Sequence, residues 1–531
     1  MRLACLGLGA GLVPASVVAF VLALVACGDS ADEAGDGSGA PPPPSGAGGG
    51  GPADAGTDAL PPEQELEQKY GAPVATGRYV WIPNPESGRV AWIDAFTREV
   101  RVVEAGHGPT HVAAVPDPDD DVALVLNVLS ADATLLRAHA GQIDAVSLST
   151  PGAANALAVS ADGRWAIAWT DASAHEGASA ADGFQDIAVL DLTPGAERAT
   201  GLSVGYRPVA IGFDAAGAHA FAVTQDGLAV IDLSASPQVA GNLALVADPL
   251  ERVGSRDVAI TPDGSLALVR REGVASITLV ALDDGTRTEV ALPAPATDLD
   301  LAADGTFALA VVRETGQVAV LPLPAAAADS TTVTLVDIPG ALVGSAAIAS
   351  ATPTALLYTN AVPSERLTLL PLTSTLPRAL DLHAAVQAVF PTPSATFALV
   401  LHGAEAAGPT YPAAMSLVPL EEQLPPKILG LEAPPVAVAM HPAGARALVA
   451  AGGPDAATQR AYLTAFPSLQ VTEVPLGSEV MTAGIVAKAN MGFVAQRHPD
   501  GRITFIDLDS AEAHTVTGFE LATQVVDGSE P

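Results

Sequence analysis

The chain has 531 residues, 49% of them hydrophobic but only 4% aromatic, and carries a formal charge of −35 with a pI near 4.3. So acidic a surface repels phosphate backbones and anionic headgroups, which excludes nucleic-acid binding and keeps a densely apolar protein soluble. The two cysteines, Cys5 and Cys27, are too few for a cysteine zinc centre, and no Cys-x-x-Cys-His exists for covalent haem.

Met1-Arg2 is a minimal positive start, and Leu3 to Ala26 then carries no charge. Such a run is a secretory signal or a membrane anchor. It ends in Leu24-Val25-Ala26-Cys27, which resembles the bacterial lipobox. The resemblance implies that residues 1–26 are a lipoprotein signal peptide, removed as Cys27 is acylated. Two other routes stand beside it: an uncleaved transmembrane helix, weakened by Pro14 and by Gly7, Gly9 and Gly11, and ordinary cleavage. Several acyl chains hold a protein firmly, at about 0.8 kcal/mol per buried methylene. Cleavage would also remove Cys5, so the mature chain would have no disulfide and would depend on its core alone. Gly28, not Asp, follows the cysteine, which points to the outer membrane, facing the periplasm or the surface.

Residues 27–65 are rich in Gly, Pro, Ala and Asp and almost devoid of large apolar side chains. They are expected to be a disordered linker. As a random coil it reaches about 30 Å, enough to hold a domain clear of a lipid surface.

Residues 66–531 are too long for one ordinary core and instead repeat. One element is a pair of apolar runs around a tight Asp-Gly turn: Ala156 to Ile167 around Asp162-Gly163, Val258 to Val269 around Asp263-Gly264, and Leu299 to Ala310 around Asp304-Gly305. Looser copies span Val209 to Val223 and Val436 to Val449. Period-two alternation with such a turn predicts a β-hairpin. A second element is a strand ending in Asp94, Asp191, Asp232 or Asp507, with Pro322, Pro371 and Pro419 in the same place mid-chain. Proline suits only a strand end or edge. The second element recurs about ten times at spacings of roughly 40–53 residues, which suits one four-stranded propeller blade per repeat. The expected fold is all-β: a propeller of about 7–10 blades, without long helices. A count near ten leaves open one large ring, a smaller ring with degenerate units, or two rings.

Tyr79-Val-Trp-Ile-Pro-Asn84, Gly88 to Asp94, Gly106-His-Gly-Pro109 and Val112 to Val115 resemble one unit of the Tyr-Val-Thr-Asn β-propeller repeats. Downstream, only the hairpin and the Asp-ended strand persist. The resemblance implies a propeller and a secreted or surface location, and little about activity. With aromatics so scarce, Trp92, Trp165 and Trp169 are expected in the cores between blades.

Aligning the inner strands on Val115, Val159, Ile211, Ile260 and Leu301 places His111, Asn155, Arg207, Arg256 and Thr297 four residues earlier. All five are polar, and Asp257 and Asp298 adjoin two of them. They would form an arc at one mouth of the channel, either as a ligand site or as ordinary water-facing strand ends. Asp117-Pro-Asp119-Asp120-Asp121 lacks the spacing and glycine of a Ca²⁺ loop and reads as an acidic turn. No histidine pair has metal-ligand spacing, and no phosphate loop or Gly-x-Ser-x-Gly elbow occurs.

No catalytic residue, metal or cofactor is therefore assigned. The favoured function is a membrane-anchored, monomeric binding or scaffold module for a protein or glycan. The alternative is a lactonase-like propeller hydrolase with its site at the channel mouth.

Overall fold

In a computed structural model the described residues are 71–519, apart from 140, 176–177, 180, 234–235, 246–255, 404–410, 421–423 and 454–455, together with 20–21 and 525–526. The rest of the expected signal peptide, Cys27 and the linker lie outside them. The chain forms ten antiparallel sheets, each built on four strands consecutive in sequence. The inner strands of blades 1 to 10 are Val74–Ala75, Pro109–Val115, Ala156–Val159, Ala210–Phe213, Arg256–Ile260, Asp298–Leu301, Ser345–Ile348, Val386–Pro391, Pro435–Met440 and Val480–Val486. Two-residue strands, Phe20–Val21 and Val525–Val526, add to sheet edges of blades 9 and 10. Among the described residues the α-helix is confined to Ala325–Ala328.

Burial follows strand order within a blade. Second strands such as Trp165–Trp169 are buried throughout, because a neighbouring blade covers each face. Outer strands such as Gln238–Leu243 alternate between exposed and partly buried, as expected of a half-solvated sheet edge. Inner strands such as Ala156–Val159 and Ser345–Ile348 are partly exposed along their length, since one edge is free and faces the channel.

The ring is single and closed. Ten apolar clusters each join two adjacent blades. One of them joins blade 1 (Val80, Ile82, Ile93) to blade 10 (Phe493, Phe505, Val516). Among the described residues no strand crosses that seam, so side-chain packing alone closes it. Trp165 and Trp169 fill the core between blades 3 and 4. Trp81 and Trp92 stack at 5.9 Å between blades 1 and 2, which adds about 0.5–1.5 kcal/mol beyond area burial.

The turns have local causes. In the hairpin at Asp263, the carboxylate accepts from Thr261 Oγ1 (2.6 Å), Ser265 N (3.0 Å) and Ser265 Oγ (2.8 Å). Asp94 ends the third strand of blade 1 and accepts from the amides of Phe96 and Thr97 at 2.8 and 3.2 Å, closing the next turn. Pro322, Pro371 and Pro419 each close a third strand.

Because the strands run consecutively, first-to-second and third-to-fourth connections share one face of the ring. The other two kinds of connection share the opposite face. On the first face, eight of the inner hairpin turns are equally long: 116–120, 160–164, 214–218, 261–265, 302–306, 349–353, 392–396 and 441–445. The first face also carries 323–333; on the second face, long connections join Trp169 to Asp186, Leu243 to Arg256, His402 to Ala413 and Ala451 to Arg460.

Candidate functional site

The predicted arc lies at the heads of the inner strands of blades 2 to 6, on the long-loop face. Its members are engaged with the framework. Asn155 clasps the backbone of Asp171, accepting from its amide at 2.7 Å and donating to its carbonyl at 3.0 Å. Arg207, in the left-handed region at φ 50°, donates from Nε to the Asp182 carbonyl at 3.0 Å and from its terminal nitrogen to that of Ser179. It therefore pins the long connection of blade 3, while its guanidinium lies over Tyr206 at 5.5 Å. Arg256 donates to the carbonyl of Gln225 in blade 4 at 3.2 Å, and Thr297 donates to that of Gly344 beside blade 7 at 2.9 Å. His111 is exposed and lies 2.8 Å from the Thr110 hydroxyl through Nδ1. Desolvation holds its pKa below the usual histidine value. Backbone geometry thus brings the five to one mouth, and their bonds run mostly to neighbouring connections.

Asp257 belongs to a different grouping, on the channel wall. It pairs with Arg270 on the adjacent strand, accepting from Nε at 2.7 Å. Arg270 also donates to the Ala296 carbonyl at 3.2 Å, which brings it towards blade 6. There Asp298 and Asp300 sit on the inner strand. Burial raises the pKa of both; for Asp300 the neighbouring Asp298 charge adds to this, and it reaches about 6. Sequence reasoning missed Asp300 and Arg270. Their signal was a charge within an inner strand at Asp300 and near the end of an otherwise apolar second strand at Arg270.

Two other arrangements bear on catalysis. His402 Nε2 lies 2.7 Å from Ser416 Oγ, with Nδ1 3.1 Å from the Ala385 carbonyl, the geometry of a nucleophile and its base. Both side chains are fully buried between strands, so no substrate reaches them. In the acidic turn of blade 2, Asp117 accepts from the amides of Asp119 and Asp120 at 3.0 and 2.9 Å and pairs with Arg137 at 3.0 Å. Among the described residues no three His, Cys, Asp or Glu side chains are grouped to hold a metal.

No protein-family model matches the sequence, and no curated protein matches it. Solved structures do. A eukaryotic initiation factor superposes with a TM-score of 0.46 at 11% identity, over 85% of this chain and 97% of its own. Dihydro-heme d1 dehydrogenase NirN, solved in complex with DHE, gives 0.44 at 14% identity, over 68% and 74%. Kuenenia stuttgartiensis hydrazine synthase gives 0.34 at 15% identity, over 61% and 99%. Similarity at this level carries no inference about what this chain binds or does.

Proposed function

We propose that the protein is a binding or scaffold module that grips a protein or glycan on its long-loop face. The observation that carries this is the inequality of the two faces. On one face five-residue inner hairpin turns recur in eight blades, beside the single long connection 323–333, while on the other face four long connections join Trp169 to Asp186, Leu243 to Arg256, His402 to Ala413 and Ala451 to Arg460. Loops on a rigid scaffold are where recognition concentrates. The remaining reading completes the picture: a chain with Tyr-Val-Thr-Asn-type repeats, anchored through lipid on Cys27, held off the outer membrane by residues 27–65, with a monomeric ring and no nucleic-acid partner. Hydrolysis at the channel mouth is less favoured, because Asn155, Arg207, Arg256 and Thr297 are committed to backbone carbonyls and amides.

Two measurements test the proposal. Labelled fatty acid should be incorporated by the parent chain and lost in Cys27→Ser. A partner cross-linked in the envelope should be lost when 170–185 is replaced by the short turn 128–131, and kept when 323–333 on the opposite face is shortened. Retention after trimming every long connection would remove the loop face from consideration. Hydrolysis of a lactone that disappears in His111→Ala would instead establish the enzyme.

A further inference from the structure

Blades 6 and 7 are joined at their inner strands by two carboxylates. Along Asp298–Leu301, Leu299 and Leu301 enter the core shared with blade 5, so alternation turns Asp298 and Asp300 towards blade 7. Asp298 Oδ2 accepts from the Ala346 amide at 2.9 Å, and Asp300 Oδ2 accepts from the Ile348 amide at 3.1 Å. Both amides belong to the inner strand Ser345–Ile348, whose channel edge has no strand partner among the described residues. The two carboxylates thus satisfy edge donors that a sheet otherwise leaves to water.

We infer that Asp298 and Asp300 form a proton-responsive latch between the inner strands of blades 6 and 7, tight when the pair holds one proton and looser when both are ionised. Burial drives that behaviour against the nearby cation: around Asp298 the charge of Arg270, which is bonded to Asp257 and the Ala296 carbonyl, outweighs that of Asp257. The blade 7 strand, Ser345-Ala346-Ala347-Ile348, brings no ionisable side chain. Arg313 packs at Gly344, beyond the head of that strand. Two like charges alternating on one strand face, with desolvation on both, resist joint ionisation. The Ile348 amide favours the ionised form, but burial and the Asp298 charge outweigh it; protonating Asp300 removes the repulsion and leaves one oxygen to accept from Ile348. With the Asp300 pKa raised from 3.8 to about 6, folding favours the protonated carboxyl by about 100-fold.

The test is amide hydrogen exchange of the full-length protein between pH 4.5 and 8, corrected for intrinsic rates. Protection across 345–348 should fall about tenfold or more as pH rises through about 6, while the inner strand of blade 3, 156–159, stays level. In Asp300→Asn the pH dependence across 345–348 should vanish and protection stay high. Asp304→Asn, at the adjacent exposed turn, should behave like the parent. A flat parent profile across 345–348, or an unchanged pH dependence in Asp300→Asn, overturns the latch. Should that variant fail to fold, carboxyl ¹³C titration of the parent decides: one aspartate titrating near pH 6 supports the latch, and all of them titrating below pH 5 overturns it.

Discussion

The hairpin-turn face and the long-loop face are made by the same strands, and Gly163 on the first and Gly183 on the second sit in different surroundings. At the turn face Gly163 sits at φ 70°, and a Cβ there would collide with the carbonyl oxygen of Pro116 in the preceding blade. At the loop face Gly183 lies outside the left-handed region, and a Cβ would meet Gln185 and Tyr206 at an ordinary 3.4 Å. The turn face is therefore a collar of abutting turns, in which conformation and inter-blade fit are fixed together. Around Gly183 the loop face is held by side chains reaching to backbone, as Arg207 does. One face carries the architecture, and under the proposed function the other carries recognition.

The largest predicted effect breaks the collar. Gly163→Ala forces a side chain into a left-handed turn and into the Pro116 carbonyl, and should cost about 3 kcal/mol or more. The midpoint of denaturant unfolding checks it. A loss under about 1 kcal/mol would mean that the turns do not lock one another.

Next is the channel wall between the two faces. Asp300 has a raised folded-state pKa, so the folded chain holds a proton that the unfolded chain releases between pH 3.8 and about 6. Stability from this group is complete below pH 3.8 and is lost as pH rises through about 6. Asp300→Asn removes that loss and should stabilise the protein at pH 8 by about 1–3 kcal/mol, with no gain near pH 3.5. Thermal unfolding at both pH values gives the sign.

A smaller effect belongs to the turn capped by Asp263. Burial raises its pKa, but the hydrogen bonds from Thr261 and Ser265 outweigh this, and the net shift is downward. Its contribution is thus present above the ordinary aspartate range and fades as pH falls through the lowered value. Asp263→Ala should cost about 0.5–1 kcal/mol at pH 7 and progressively less in acid, seen as converging unfolding midpoints.

These cases also mark what was legible in the sequence. The hairpins and their Asp-Gly turns were readable because their causes are local: the Asp263 carboxylate bonds within its own turn. The prolines at 322, 371 and 419 sat where a strand end was expected, because proline lacks the donor a ladder needs. Whether ten repeats made one ring was not readable. Closure depends on Val80 and Ile82 meeting Phe493 and Phe505 across nearly the whole chain, and pattern within a strand does not encode that. The arc from His111 to Thr297 lies at the strand heads, but the bonds its members make were hidden in the sequence. Arg207 reaches Ser179 and Asp182 in a connection with no periodic signal. Asp300 passed as ordinary alternation because the blade that covers it lies outside its own hairpin.

The smallest predicted effect is the most exacting for the comparison. Gly183→Ala, the same substitution as at Gly163, should change stability by less than about 0.5 kcal/mol. The Gly183 carbonyl accepts from the Arg207 amide at 2.7 Å, and a methyl group on its own Cα leaves that bond in place. Contacts at 3.4 Å with Gln185 and the edge of Tyr206 are ordinary packing, so no neighbour has to move. Alanine also narrows the unfolded ensemble, which offsets part of any local cost. Paired unfolding curves for the two glycine variants measure the difference between the faces directly. Equal losses would mean that the loop face is as tightly determined as the collar and is not the more adaptable of the two.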